Sequence, residues 1–452
     1  MNLLDQITVN TSPGPYYEAN DETVPPPAHP LVRLIAFYLP QFHSIPENDL
    51  WWGAGFTEWT NVTKAVPRFA GHYQPRLPGA LGFYDATRTD VLRRQAAMAK
   101  QYGIGGFCFH HYWFSGRRIL EKPLETLLAN PDIDLPFCVN WANESWTRRW
   151  DGRERSVLLQ QEHTVEDSQA FARSLEPLFQ DRRYIRIDGR PLLLIYRPNL
   201  FPDPKQTVEQ CRQHFKSRGL GDPYIAMVQR QDDKDASRYG MDAAVSFPPF
   251  YLTHSIPVRR DLEWFDSRAL CTVRDYDALA EATISEYAQD KQTFPGVSPS
   301  WDNDARMSGQ GSCFVGSTPA AYGRWLKAAC ITSMRKFSGD ERLVFINAWN
   351  EWAEGTYLEP DRHFGYAYLA ETRRVLNALS PEMVNMPLSA DLAWTRPKLT
   401  IQRRARRAAR LALNFVANCA EEIAWKLRQP RGGFRINRPA EGGDKRLREP
   451  VD

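Results

Sequence analysis

Glu351 and Glu354 stand three residues apart in the stretch Arg342-Leu-Val-Phe-Ile-Asn-Ala-Trp-Asn-Glu-Trp-Ala-Glu-Gly-Thr-Tyr-Leu-Glu-Pro360. Paired carboxyls among tryptophans and asparagines suit sugar chemistry. Indole faces stack on pyranose rings, amides bind hydroxyls, and one carboxylic acid can protonate a leaving oxygen. Acidic pairs are also common in solvated loops after core strands, and it is the density of Trp and Asn, with Asn350 beside Glu351, that favours a site.

The elements that would position this pair are legible in the same stretch. Leu343, Val344, Phe345 and Ile346 form an unbroken apolar run, the pattern of a strand buried on both faces, and the polar residues begin where that run stops. Seven similar runs precede it, giving predicted strands over 33–40, 104–111, 136–141, 191–197, 224–229, 242–247, 294–299 and 342–349. Helical patterns lie between them at Thr89–Tyr102, Ile119–Leu128, Val165–Phe179, Thr207–Ser217, Tyr276–Asp290 and Pro319–Lys336, with a weak turn near Asp232–Tyr239 and a last helix at Tyr366–Leu379. Strict alternation of buried strands and amphipathic helices implies a parallel sheet. Eight repeats imply closure into an α/β fold of the (β/α)8 TIM-barrel kind, spanning about residues 31–385. A doubly wound open sheet is the alternative, but no Gly-rich phosphate loop follows any strand.

A closed barrel carries its active site at the carboxyl ends of its strands, so the strand tips supply the remaining candidates. These are Tyr38 and His43; His110, His111 and Trp113; Asn140, Trp141, Asn143 and Glu144; Tyr196; Trp301 and Asp302; and Asn350 with the two glutamates. The long first connection, His43 to Thr63, holds Trp51, Trp52, Phe56 and Trp59 among glycines, and is expected to fold over the barrel mouth. Trp59 could serve as a sugar platform there, or these rings could form a small satellite core.

Composition narrows the class. The chain has 452 residues, 42% hydrophobic and 25% charged, as a globular protein should, and no apolar run approaches a membrane span. Residues 1–30 are polar, end in a proline-rich run and read as a disordered lead-in without the features of a secretion signal. Seven scattered cysteines with no C-x-x-C pair fit reduced thiols in a cytoplasmic protein. The net charge of +3 is uneven: from Pro397 onward there are 14 Lys and Arg against 6 Asp and Glu, a surplus of 8, which leaves −5 for the rest. Residues 397–452 therefore read as a basic amphipathic helix and flexible tail. Arg403, Arg404, Arg406, Arg407 and Arg410 suit peripheral contact with an anionic inner-membrane surface through 401–428. Neither a metal, a cofactor nor a nucleic-acid partner is expected.

Several stretches are long enough to carry a resemblance: Ala36-Phe-Tyr-Leu-Pro-Gln-Phe-His43, Glu47-Asn-Asp-Leu-Trp-Trp-Gly-Ala-Gly-Phe-Thr-Glu-Trp-Thr-Asn-Val62, Tyr73-Gln-Pro75, His110-His-Tyr-Trp-Phe114, Asn140-Trp-Ala-Asn-Glu144 and Asn347-Ala-Trp-Asn-Glu-Trp-Ala-Glu-Gly-Thr356. Over about residues 33–380 the chain resembles the WbsX-like family of polysaccharide and lipopolysaccharide biosynthesis clusters, related to glycoside hydrolase family 99. The resemblance implies a metal-independent barrel enzyme acting with retention on α-mannoside-like linkages of a glycan or lipid-linked glycan. It implies Glu354 as general acid/base, Glu351 as the base that deprotonates the substrate's own 2-hydroxyl to give a 1,2-anhydro sugar, and Tyr196 as an active-site tyrosine. The first strand and its long insert differ from the hydrolase pattern. Two other functions stay open: a nucleotide-sugar glycosyltransferase, for which Asp302-Asn-Asp304 is an Asp-x-Asp at a predicted strand tip, and a non-catalytic glycan-binding barrel.

Overall fold

In the computed structural model, which describes residues 2–148, 153–230, 233–250, 255–287 and 292–385, the eight apolar runs form eight parallel barrel strands. They are β1 (Arg33–Tyr38), β2 (Ile104–Phe114), β3 (Phe137–Trp141), β4 (Arg190–Ile195), β5 (Tyr224–Val228), β6 (Ala243–Val245), β7 (Thr293–Phe294 and Gly296–Val297) and β8 (Leu343–Ile346). Neighbours in sequence are neighbours in the sheet, and β8 returns to pair with β1, Arg33 opposite Leu343. Closure runs through β7. Its first piece pairs with β6, its second with β8, and the Pro295 carbonyl between them accepts from Phe345 N at 2.9 Å. Gly296 is needed at that crossing, because a Cβ there would fall 1.8 Å from the Ser246 carbonyl oxygen.

Helices follow the strands as the periodicity predicts. Those used below are α1 (Leu3–Asn10), α2 (Pro46–Trp52), α3 (Glu58–Lys64), α4 (Thr89–Gln101), α5 (Lys122–Ala129), α6 (Val165–Gln180), α7 (Pro204–Ser217), α8 (Tyr276–Tyr287) and α9 (Asp304–Met307). The outer ring is completed by α10 (Pro319–Lys336) and α11 (Ala367–Ala378). Side-chain caps fix where several begin: Thr164 accepts from Asp167 N for α6, and Thr318 from Ala321 N for α10. Among the described residues no helix is long and apolar enough to cross a membrane. Among the described residues six cysteines are free thiols, five of them buried.

The lead-in departs from the sequence expectation. Instead of lacking structure, residues 2–30 open with α1 and lie along the barrel. The Asn10 amide donates to the carbonyls of His72 (2.8 Å) and Gln74 (2.7 Å), Gln101 donates to Val24 O at 2.7 Å, and Arg373 reaches the carbonyls of Asp21 and Val24. A polar segment can be held this way by backbone hydrogen bonds with little apolar burial, which composition does not reveal. The proposed basic helix and tail fall in 386–452, outside the described residues.

Candidate active site

The site is built on the turn that follows β8. Asn350–Glu351 and Thr356–Tyr357 pair as a short antiparallel hairpin closed by Gly355 at φ 61°. Any Cβ at Gly355 would come 2.9 Å from the Asp302 carbonyl oxygen, so both its backbone and its packing require glycine. Asn350 locks the hairpin to the end of β1, its Oδ1 accepting from Leu39 N (2.8 Å) and its Nδ2 donating to Leu39 O (3.0 Å). Glu351 and Glu354 are thereby presented together at the carboxyl mouth of the barrel.

Both carboxylates meet one guanidinium. Arg306, on α9 beyond the tip of β7, donates Nη2 to Glu351 Oε2 at 3.0 Å, Nη1 to Glu354 Oε1, and Nε to Glu58 Oε2 at 3.2 Å. Glu58 is wholly buried on α3 of the long first connection, so that connection is tied to the catalytic pair through Arg306. Burial works against the arginine's charge, but Glu58, Glu351 and Glu354 together hold its pKa well above the usual value. Burial also pushes the Glu351 carboxyl up to about 8. Arg306 opposes that rise, and the neighbouring Glu354 and Glu58 charges add to it.

Side-chain alternation along the strands decides which other candidates join the pair. On β2, His110 and Tyr112 point inward. His110 stacks on Phe37 and accepts through Nδ1 from the Asn140 Nδ2 at 3.1 Å, and burial followed by the Arg306 charge pushes its pKa down to about 4. Burial, then the Glu351 charge, raises the Tyr112 phenol, as expected of a hydroxyl facing that carboxylate. Tyr196, beyond β4, is raised by burial against the effect of Arg230, to which it is hydrogen-bonded, and it feels the Glu354 charge. His110, Asn140 and Tyr196 therefore stand with Glu351 and Glu354 in one mouth.

The alternate residues on the barrel strands face the helices. Tyr38 donates to Gln95 of α4 at 3.2 Å and packs between Phe107 and Phe109. His111 and Trp113 both edge onto Phe171 of α6, Trp113 donating to Asp167 at 2.8 Å. Trp141 has no exposed surface and stacks on Phe171 with ring centroids 3.6 Å apart. It is a core residue rather than a sugar platform. Trp59 belongs to the satellite core, against Phe42, Tyr84 and Trp352, with its Nε1 donating to Tyr84 O at 2.8 Å. His43 is buried at the end of the same segment, burial lowering its pKa.

Four further candidates are spent on holding loops. Asn143 accepts from Arg197 N (2.7 Å) and donates to Arg197 O (2.8 Å), while Glu144 pairs with the Arg197 guanidinium at the rim. Trp301 donates to Ser312 at 3.3 Å and edges onto Phe250. Asp302 is buried and accepts from His72 Nε2 (2.9 Å), Gln74 (2.8 Å) and Asp304 N (3.1 Å), which lowers its pKa despite burial. Asp304 in turn pairs with Arg68 at 2.9 Å. Neither aspartate is placed as a sugar contact, because each is spent on neighbouring protein groups. His72, Asp302 and Cys313 do lie close enough to suggest three metal ligands. However, His72 Nδ1 accepts the Arg68 N–H at 3.0 Å, so a neutral ring carries its proton on Nε2, directed at Asp302. That set is a hydrogen-bonded tie.

Residue-by-residue inspection of strand tips missed Glu58 and Arg306. Glu58 sits inside the Gly-Phe-Thr-Glu-Trp segment that was noticed for its aromatics. Arg306 sits four residues past Asp302, beyond the tip itself.

Residues 34–372 match the model of a family described as Glycosyltransferase WbsX. Two proteins carrying the name "Uncharacterized protein WxcX", from strains of Xanthomonas campestris pv. campestris, are each 46% identical over 344 residues, covering 76% of this chain and 49% of the relative. The chain thus spans about half the length of the curated relatives it matches. Among solved structures, a glycoside hydrolase-like protein aligns with a TM-score of 0.51 and 17% identity over 83% of this chain and 99% of its own, a likeness of fold. The GH99 endo-alpha-mannosidase from Bacteroides thetaiotaomicron aligns with a TM-score of 0.46 and 16% identity over 76% and 96% of the two chains.

Proposed function

The chain belongs to the glycosyltransferase WbsX family, and on that premise we propose that it is a carbohydrate-active enzyme that breaks or transfers an α-glycosidic, mannoside-like linkage of a bacterial surface polysaccharide or its precursor. The supporting observation is the pair Glu351 and Glu354, presented by one hairpin at the barrel mouth and sharing the Arg306 guanidinium. Glu354 protonates the departing oxygen and later takes a proton back. Glu351 accepts the proton of the substrate's 2-hydroxyl as that oxygen attacks the anomeric carbon from within the sugar ring. His110, Asn140, Tyr112 and Tyr196 supply hydroxyl contacts around the pair.

Three carboxylates face one arginine in a buried site, and their mutual repulsion keeps a proton on the set. Burial raises the Glu351 carboxyl, with Arg306 opposing the rise and Glu354 and Glu58 adding to it. A consequence is measurable without any substrate. Glu351 releases its proton near pH 4.5 when unfolded and near 8 when folded, so the folded chain holds the extra proton in between and stability falls as pH rises through that window. Glu359, which accepts from Trp352, Gln95 and Tyr84 and is pushed up to about 7 chiefly by burial, contributes with the same sign. Melting temperatures from pH 5 to 9 should fall for the native chain, and Glu351→Gln should flatten that fall by about a few degrees. An identical pH slope in the two proteins would remove Glu351 from the account.

A sugar-nucleotide-dependent transferase is the second reading, favoured by the family's description. The two are separated by incubation with defined α-linked glycans, with and without sugar nucleotides, and mass spectrometry of the products. New products without nucleotide support glycosidase or transglycosidase chemistry, and products that require nucleotide support the transferase. Residues 401–428 are proposed to hold the enzyme at an anionic membrane. A chain ending at residue 396 should keep activity on soluble substrate and no longer co-sediment with anionic vesicles, and retained co-sedimentation would reject that role.

A further inference from the structure

Among the described residues, four arginines around the barrel mouth are matched to carboxylates. Arg306 meets Glu58, Glu351 and Glu354; Arg197 meets Glu144; Arg68 meets Asp304 and Asp266; Arg76 faces Asp302. Arg230, two residues past β5, pairs with no carboxylate among the described residues. Its guanidinium instead lies over two rings, 5.1 Å from the Tyr196 centroid and 5.2 Å from that of Phe250, and donates Nη1 to the Tyr196 hydroxyl. A reciprocal turn with Asp233, whose N donates to Arg230 O at 2.9 Å, fixes the backbone beneath it.

An arginine held in this way is a receptor in waiting. The rings dehydrate and orient the guanidinium plane, one donor is spent on Tyr196, and the remaining N–H groups keep their fork geometry. Such a fork matches the two oxygens of a carboxylate or a phosphoryl group. Tyr196 connects this charge to the reaction centre, because its phenol feels both Arg230 and Glu354. We propose that Arg230, on its Tyr196 and Phe250 platform, forms a subsite for an anionic group, carboxylate or phosphoryl, borne by the glycan next to the bond that is cleaved or transferred. This deepens the glycan-enzyme reading and rests on it for the location of that bond. The anion also has a reason to sit there and not on Arg306, whose charge is already matched by three carboxylates.

The test is calorimetric titration of the full chain with mannose, mannuronate and mannose 6-phosphate. At least one anionic sugar should bind about tenfold tighter than mannose, the gain expected of a charge-assisted pair. Mannuronate preference identifies a uronate, and mannose 6-phosphate preference a phosphoryl group. Arg230→Gln should erase the preference while melting like the native chain, and Arg230→Lys should keep the charge but lose most of the gain with the fork. Equal binding of all three sugars, or a preference that survives Arg230→Gln, would overturn the proposal. Binding needs no turnover, so an anion preference in a protein inactive on every glycan would leave the subsite standing and remove the enzymatic reading. Turnover of neutral glycans with no anion preference would do the reverse.

Discussion

Glu351→Gln should lower turnover about a hundred- to ten-thousand-fold on every substrate, whatever its leaving group, because in the proposed scheme an amide at this position cannot take the proton of the 2-hydroxyl. Glu354→Gln should discriminate. A poor leaving group needs its proton and loses a similar factor, whereas an activated aryl or fluoride leaving group departs without help and loses little. Both residues lie on one short hairpin against one arginine, so either variant leaves a buried charge pattern altered but not unmatched, since Arg306 keeps Glu58 and one of the pair. Loss of activity in a variant that still unfolds in one cooperative transition would therefore report chemistry. A Glu354→Gln enzyme equally slow on activated and unactivated substrates would assign Glu354 some task other than proton donation.

Trp141→Ala carries the largest effect expected on stability. The indole is fully enclosed, stacks on Phe171, and touches Phe201 and His163 between β3 and α6. Truncating it leaves a cavity the size of a bicyclic ring and should cost about 3–5 kcal/mol in urea unfolding, with Trp141→Phe recovering much of it. A Trp141→Ala protein that unfolds at the native urea midpoint but loses affinity for glycans would turn the indole toward the ligand and reverse its placement.

That residue also marks what could be inferred before the fold was seen. Each barrel strand is legible because it is an unbroken apolar run in a parallel sheet, and each of the eight overlaps its predicted stretch, whereas the short strands outside the barrel, such as Thr272–Asp275 and Ser312–Val315, carry no such run. Closure followed from the count. A strand tip is not a uniform block, however, because a strand shows its side chains alternately to two sides. His110 and Asn140 face the mouth, while their immediate neighbours His111 and Trp141 face the helices, and residue type alone does not distinguish them. Asn143, Asn350 and Asp302 failed for a different reason: an amide or carboxylate that could bind a sugar is equally suited to tie a loop, and only the partner decides. Glu58 and Arg306 were illegible because their pairing joins residues far apart in sequence, from α3 in the first connection and from α9 after the seventh strand.

The most direct measurement of the central claim is product analysis by mass spectrometry of the native chain and of Glu351→Gln, Glu354→Gln and the double variant. All four would be given the same panel of defined α-linked glycans without sugar nucleotide, and the intact protein mass would be followed in parallel. The expected result is cleaved or rearranged glycan from the native chain only, loss of that product in the variants, near inertness of a 2-deoxy substrate, and no sugar bound to the protein at any time. Undiminished product from the double variant would contradict the assignment of the pair. A sugar esterified to Glu351 would replace the neighbouring-group route with an ordinary double displacement.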